Sequence, residues 1–192
     1  MVGVHMKYYK LLLDDSNQND IVCFCKDSKG FEQFHLKEGK LIKNWNEDLT
    51  FYFNPEEGSE QTDYLANNLG WFLVSDKLKS LLIEIDKSQI QYLPIRVVNS
   101  KDNSIIKGYS VANILSLLDV LNLEHSDYSV IEVDDEKVYS IRKYAINKSA
   151  VSDYHIFKVK GYEIPMFVSE ICKDAVLKQG ITGCDFLGVK TV

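Results

Sequence analysis

One pattern occurs twice in this chain and constrains its fold more than any other feature. An apolar run ends at Ser75, an acidic residue follows, and an amphipathic stretch comes next; the same order occurs at Ser169, near the C-terminus. A serine hydroxyl can accept from an unpaired amide of the first helical turn, and Asp76 and Glu170 suit the positive end of a helix dipole. Each copy therefore predicts a strand, a helix capped by Ser75 or Ser169, and a second strand.

Strand-like segments dominate the rest of the sequence. Short apolar and aromatic runs follow one another between polar turns, and the 11 Tyr and 9 Phe residues favour strands. These patterns predict an α+β fold: a mostly antiparallel or mixed sheet, a few helices and two strand-helix-strand units. With 192 residues we expect one compact domain over residues 1–192. Within it, residues 1–64 form an N-terminal β-rich part and residues 65–192 form the core.

The overall charge of the protein argues against one class of partner, nucleic acids. The net charge is −6 at pH 7, whereas a nucleic-acid-binding protein needs a basic face for the phosphate backbone. No apolar run approaches the roughly 20 residues that a membrane-spanning helix needs. We therefore predict no nucleic-acid partner, no membrane association and a cytoplasmic location. Residues 1–5 do not share the pattern that begins at Met6, and the fold prediction leaves them out.

The sequence lacks the local motifs of the common enzyme classes. It contains no glycine-rich nucleotide loop, no zinc-protease motif and no serine nucleophile elbow. Its cysteines, Cys23, Cys25, Cys172 and Cys184, form no C-x-x-C pair, and its histidines lack metal-ligand spacing. A Cys184–His155 nucleophile pair stays an alternative, although buried structural thiols are commoner. We predict no catalytic residue, no metal and no cofactor.

A set of short motifs, in a fixed order, resembles a known family. The segments are Gly70–Ser75, Gln91–Ile95, Gly108–Asn113, Met166–Ser169 and Gly180–Gly183. Together they resemble the eleventh immunity-protein family of bacterial polymorphic toxin systems, with the similarity running from about residue 65 to the C-terminus. The resemblance implies a non-catalytic bacterial protein that protects its own cell by binding a cognate toxin domain and occluding it. Two other functions stay open: a small enzyme with an unrecognised cleft, or an adaptor or structural subunit of a bacterial or phage assembly.

Two acidic clusters are the candidate contacts for such a partner. Acidic loops accelerate encounter with a basic protein surface, because charges steer association. In the second cluster, a solvated turn is a better interpretation than a cation loop, since the alternating ligands of a calcium site are missing. The predicted partner-binding residues are Glu56, Glu57, Glu60 and Asp63 in the first cluster and Asp134, Asp135 and Glu136 in the second.

Overall fold

The computed structural model describes residues 6–85, 89–133 and 136–192, and for residues 133, 136 and 137 it describes the backbone alone. The helices are α1 (Asp76–Ile85), α2 (Glu170–Lys178) and two short 3-10 helices, Leu123–His125 and Lys148–Ala150. Within these ranges, no helix has the length and apolar character needed to cross a membrane. The strands are β1 (Tyr8–Leu13), β2 (Val22–Cys25), β3 (Thr50–Phe53), β4 (Tyr64–Asn67), β5 (Leu73–Ser75), β6 (Ile90–Pro94), β7 (Arg96–Asn99), β8 (Ile105–Ile106), β9 (Tyr109–Ile114), β10 (Leu117–Leu118), β11 (Asp127–Val133), β12 (Glu136–Lys143), β13 (Ala145–Ile146), β14 (Ile156–Val159), β15 (Tyr162–Ser169) and β16 (Cys184–Thr191).

The prediction of an α+β fold was wrong, because the protein is mostly sheet. Strands hold 43% of the residues and helices 14%. One sheet has the strand order β6-β9-β5-β4-β2-β3-β7-β8, and another has the order β10-β14-β15-β1-β16-β13. Over the described ranges, the pair β11-β12 joins neither of these sheets. The two helices cover only a small part of these large sheets, so the fold is β-rich.

The two predicted strand-helix-strand units are not self-contained. The strands on either side of α1, β5 and β6, both pair with β9, which lies between them and runs antiparallel to each. The strands on either side of α2, β15 and β16, both pair with β1 in the same way. The sequence repeat indicates that a helix links two strands. It does not indicate that a third strand, distant in the chain, lies between those two strands in the sheet.

The two helices lie where the two large sheets meet. Side chains from both sheets and both helices share one buried cluster. Burial of apolar surface contributes about 25 cal/mol per Å², so this shared cluster is a main source of cohesion between the sheets. Its members include Leu11, Ile156 and Val168 from one sheet, Tyr64, Val74 and Ile114 from the other, and Leu78, Leu82, Cys172 and Val176 from the helices.

A buried lysine ties an N-terminal loop to the six-stranded sheet. Lys158 on β14 is only 3% exposed, and its Nζ donates to the carbonyl oxygens of Leu36 and Lys37 at 3.1 and 2.9 Å. Burial and, to a smaller extent, the charge of Lys37 lower the pKa of this ammonium to about 8, against an opposing effect of Glu163. The contact therefore places a charged group where desolvation is costly.

The serines before the two helices both accept amide hydrogen bonds. Ser75 Oγ accepts from the amide of Leu78 at 3.1 Å, and Ser169 Oγ accepts from the amide of Cys172 at 3.2 Å. Ser169 is fully buried, so it also shields this bond from water. Each hydroxyl satisfies one donor that would otherwise lack an intrahelical partner.

Replacing Ser169 with Ala should lower the free energy of unfolding by about 1 kcal/mol, because the Cys172 amide then loses its acceptor. Urea denaturation measures this change. Ser149→Ala provides a matched control, since Ser149 is exposed. An unchanged midpoint in Ser169→Ala would show that the cap contributes nothing.

Candidate functional site

Two loops form one acidic surface, here called the acidic double loop, made of residues 14–20 and 54–60. The Nδ2 atoms of Asn17 and Asn19 donate to the Glu60 carboxylate at 3.1 and 3.0 Å. Ser59 donates its amide to the Asn19 carbonyl at 2.8 Å, and Asp20 and Glu60 form a parallel bridge. These contacts hold the two loops side by side.

Negative charge is concentrated on this surface. Burial, followed by the charges of Glu60 and Asp14, raises the pKa of Asp20, while a hydrogen bond from Asn17 opposes the rise. The acidic character of loop 14–20 is visible in the sequence, but its contact with loop 54–60 depends on tertiary structure. The carboxylates are those of Asp14, Asp15, Asp20, Glu56, Glu57 and Glu60.

The predicted contacts Glu56 and Glu57 lie on this surface with local partners. Glu56 forms an ion pair with Lys101 at 2.9 Å, in which both side chains are mostly exposed. Glu57 accepts a hydrogen bond from Asn54 within the same turn, at 2.9 Å. Exposed pairs of this kind are worth little, so both carboxylates stay accessible to a partner.

Asp63 differs from its neighbours, because it connects distant parts of the chain. Its side chain is only 14% exposed. One carboxylate oxygen accepts from Ser75 Oγ at 2.5 Å, and the other accepts from the Thr182 amide at 3.0 Å and lies 3.6 Å from Lys77 Nζ. Asp63 therefore links β4 and α1 to the segment before β16.

The backbone around Thr182 continues this link. The amide of Tyr64 donates to the Thr182 carbonyl, and the amide of Asp14 donates to the Gly183 carbonyl, both at 3.1 Å. Gly183 has a φ of +79°, and a Cβ at this position would clash with the Tyr64 carbonyl oxygen. Only glycine suits this approach. The acidic double loop is thus fixed to the main body at residue 14.

The second predicted cluster lies between β11 and β12 in the sequence. Asp134 and Asp135 lie outside the described residues. Glu136 is the first residue of β12, and its backbone is paired with Val133. We call β11 and β12 together the arm, because among the described residues these strands pair with each other and with no third strand.

Apolar side chains on the arm face solvent. Tyr128, Val130 and Tyr139 lie on one face, and the rings of Tyr128 and Tyr139 meet edge to face with centroids 5.5 Å apart. Ile131 and Val138 are directly opposite each other in the register, and they are 53% and 51% exposed. Exposed apolar groups on a two-stranded sheet are characteristic of an interaction surface.

The root of the arm is held firmly to the fold. Ser126 Oγ donates to the Asn122 carbonyl at 2.6 Å and accepts from the Ala145 amide at 3.0 Å. The ring of Tyr144 lies 5.1 Å from that of Phe167, edge to face, on the six-stranded sheet. The direction in which the arm leaves the body is therefore fixed by hydrogen bonds and packing.

A groove of about 760 Å³ lies between the arm and the six-stranded sheet. Four consecutive residues of β12 line one side, Val138–Ile141. The floor is formed by Lys10–Leu13 of β1 and Tyr162–Met166 of β15. Most of these side chains are apolar or aromatic, a composition typical of binding sites. Sequence reasoning missed this groove, because it requires knowing where the arm stands relative to β1.

The residues considered for catalysis, His155 and Cys184, have surroundings that give them structural roles. His155 Nδ1 lies 2.8 Å from Ser169 Oγ, but Ser169 is fully buried beneath α2 and already caps that helix. Burial raises the pKa of the Cys184 thiol to about 12, which keeps it protonated and a poor nucleophile. In the described part of the chain, no three His, Cys, Asp or Glu side chains are placed to hold a metal ion.

Comparison with known families defines the class of protein. The sequence model of a protein family described as "Immunity protein family (Imm11)" matches residues 7–191, nearly the whole chain. The chain therefore belongs to the Imm11 immunity protein family. The match also covers the first third, so the similarity extends well beyond the region from residue 65 that the motifs indicated. Membership favours a non-catalytic protein and implies a toxin partner.

A more distant similarity involves a much longer protein. A sequence from Agaricus bitorquis, named "Probable DNA-directed RNA polymerase", is 24% identical to the chain over 134 residues. The matched region covers 70% of this chain but only 10% of that protein. The chain thus spans about a tenth of this relative, and the relative's activity is not carried over to it.

Proposed function

We propose that this protein neutralises a cognate toxin domain from a bacterial polymorphic toxin system by binding and occluding it, without catalysis. Membership of the immunity protein family supports the role, and the concentration of six carboxylates on the acidic double loop supports the mode of encounter. Among the ion pairs of the described residues, one involves this surface, and in it Lys101 is paired with Glu56. A basic surface on the toxin would be attracted to it over about 10 Å at 0.1 M salt.

Accessible carboxylates at the rim act on association more than on dissociation, since they steer the approach of the partner. Of the predicted contacts, Glu56, Glu57 and Glu60 are the carboxylates on the acidic double loop that we assign to this steering of the toxin. Asp63 adds negative charge, but its hydrogen bonds give it mainly a structural role. We extend the proposal to Asp134, Asp135 and Glu136, the acidic cluster that lies between β11 and β12 in the sequence.

Reversing two charges on the acidic double loop, Asp15→Lys with Glu57→Lys, should slow association with the toxin domain by about tenfold at low salt. Dissociation should stay nearly unchanged, because both residues lie in exposed loops. Stopped-flow kinetics with an inactivated form of the toxin domain encoded beside the protein, over a salt series, measures both rates.

Glu84→Lys with Glu124→Lys is the matched control. These residues are also exposed, and the net charge changes by the same amount, but they lie in α1 and a 3-10 helix far along the chain from the loops. Equal slowing in both double variants would attribute the effect to net charge and contradict the assigned surface. Failure of the unaltered protein to bind at about micromolar concentration would contradict the immunity proposal itself.

A further inference from the structure

The arm presents an open strand edge to the groove. Successive side chains of a strand point to opposite faces, so four consecutive residues lining one cavity indicate that the strand meets it edge-on. Val138–Ile141 of β12 have this arrangement, and none of the described residues that line the groove comes from β11. Within the described residues, the outer edge of β12 has no strand partner. Its amide and carbonyl groups on that side are available for pairing.

The floor of the groove opens where two strands separate. The pairing of β1 with β15 runs from Tyr8 opposite Ser169 to Leu11 opposite Met166 and ends there. The next residue of β15 toward its start is Pro165, which has no amide hydrogen and cannot continue the ladder. Leu12 and Leu13 pair with β16 on their other side. The space beside them leaves room for an extended peptide next to β12.

The charges near the groove define the chemistry of its occupant. Among the described residues that line it, Lys10 and Glu163 are the charged ones, and the remainder is largely apolar or aromatic. At the end of β1 the floor runs directly from Leu13 into Asp14 and Asp15 of the acidic double loop. An apolar segment flanked by basic residues complements both features, because its flanks would meet these carboxylates.

We infer that an extended apolar segment of the toxin domain, flanked by basic residues, enters this groove and adds a third strand to the arm along the outer edge of β12. This inference rests on the proposed function, since it assigns the segment to the same toxin partner. A two-stranded sheet is only marginally stable alone, and an exposed edge is a template for strand addition. Main-chain hydrogen bonds would provide affinity, and the apolar floor would provide specificity.

The arm offers a closely matched pair of variants for the test. Val138 and Ile131 are opposite each other, lie on the same face and are almost equally exposed, but only Val138 lines the groove. With the inactivated toxin domain encoded beside the protein, Val138→Lys should weaken binding by at least about tenfold, and Ile131→Lys by less than about twofold. Equal losses would show that the toxin covers the arm face rather than the groove, and would overturn the inference.

Hydrogen exchange provides a second readout that does not depend on a substituted protein. On adding the toxin domain, those amides of residues 138–141 that point away from β11 should exchange at least about tenfold more slowly, while the amides of residues 128–132 should change little. Unchanged exchange in β12, with binding intact, would overturn strand addition while leaving the proposed function in place. Sedimentation of the protein alone should show a monomer; a dimer that Val138→Lys dissociates would place a second copy in the groove instead.

Discussion

Replacing Asp63 with Ala should lower the free energy of unfolding by about 3 kcal/mol, a large part of the stability of a typical domain. The carboxylate accepts hydrogen bonds from Ser75 Oγ and the Thr182 amide, and both donors would be left without it. Asp63→Asn offers one acceptor oxygen in place of two, so it should cost about half as much. Urea denaturation of the two variants measures these changes.

Glu57→Ala is the control for this experiment. Glu57 is an exposed acid of the same cluster with a hydrogen bond inside its own turn, and its removal should leave stability within about 0.5 kcal/mol of the unaltered protein. If Asp63→Ala is equally harmless, the link between β4, α1 and the segment before β16 does not depend on this carboxylate. If Asp63→Asn remains folded but slows toxin association, Asp63 also acts as a rim charge.

Lys158 should make stability depend on pH in an alkaline window. Between about pH 8 and 10.5 the folded protein holds this lysine neutral, while the unfolded chain still holds it charged. The unfolded state then binds more protons, so stability rises with pH across this window, by about 2 to 3 kcal/mol in all. Below about pH 8 Lys158 is charged in both the folded and the unfolded state, so its contribution to stability no longer changes with pH.

Comparison with Lys158→Met isolates this effect, because the tyrosines and cysteines that also titrate at high pH are the same in both proteins. The stability of the unaltered protein minus that of the variant should be constant from about pH 6 to 8 and increase above it. Urea denaturation at each pH provides this difference. A constant difference up to pH 10 would mean that the pKa of the ammonium is not lowered. The ¹³C shift of the Lys158 Cε provides an independent titration.

The sequence predicts the local features of this fold better than its architecture. A serine followed by an acid and an amphipathic stretch is a local signal, and α1 and α2 begin directly after Ser75 and Ser169. The predicted α+β class was wrong, because the two repeats indicate strand-helix-strand units, whereas the flanking strands of each helix belong to large sheets in which a third strand separates them. The strand order cannot be predicted from these local signals, because β9 and β1 pair with strands from distant parts of the chain.

The candidate site divides in the same way. Acidic residues can be read directly from the sequence, so Glu56, Glu57 and Glu60 were identified as surface charges. Their association with loop 14–20, and the different surroundings of Asp63, depend on contacts between residues far apart in the chain. The groove requires the position of the arm relative to β1 and β15, which no periodicity encodes.

The position of β1 also affects how quickly the protein becomes functional. Among the described strands, β1 lies between β15 and β16, so the six-stranded sheet cannot close until residues 184–191 have left the ribosome. Pairings between distant segments slow folding, because loop entropy is lost before the contacts form. For a member of an immunity family, this folding time belongs to the interval before protection begins. Under the proposed function, the time before protection begins then depends on the chain order of the strands as well as on affinity for the toxin.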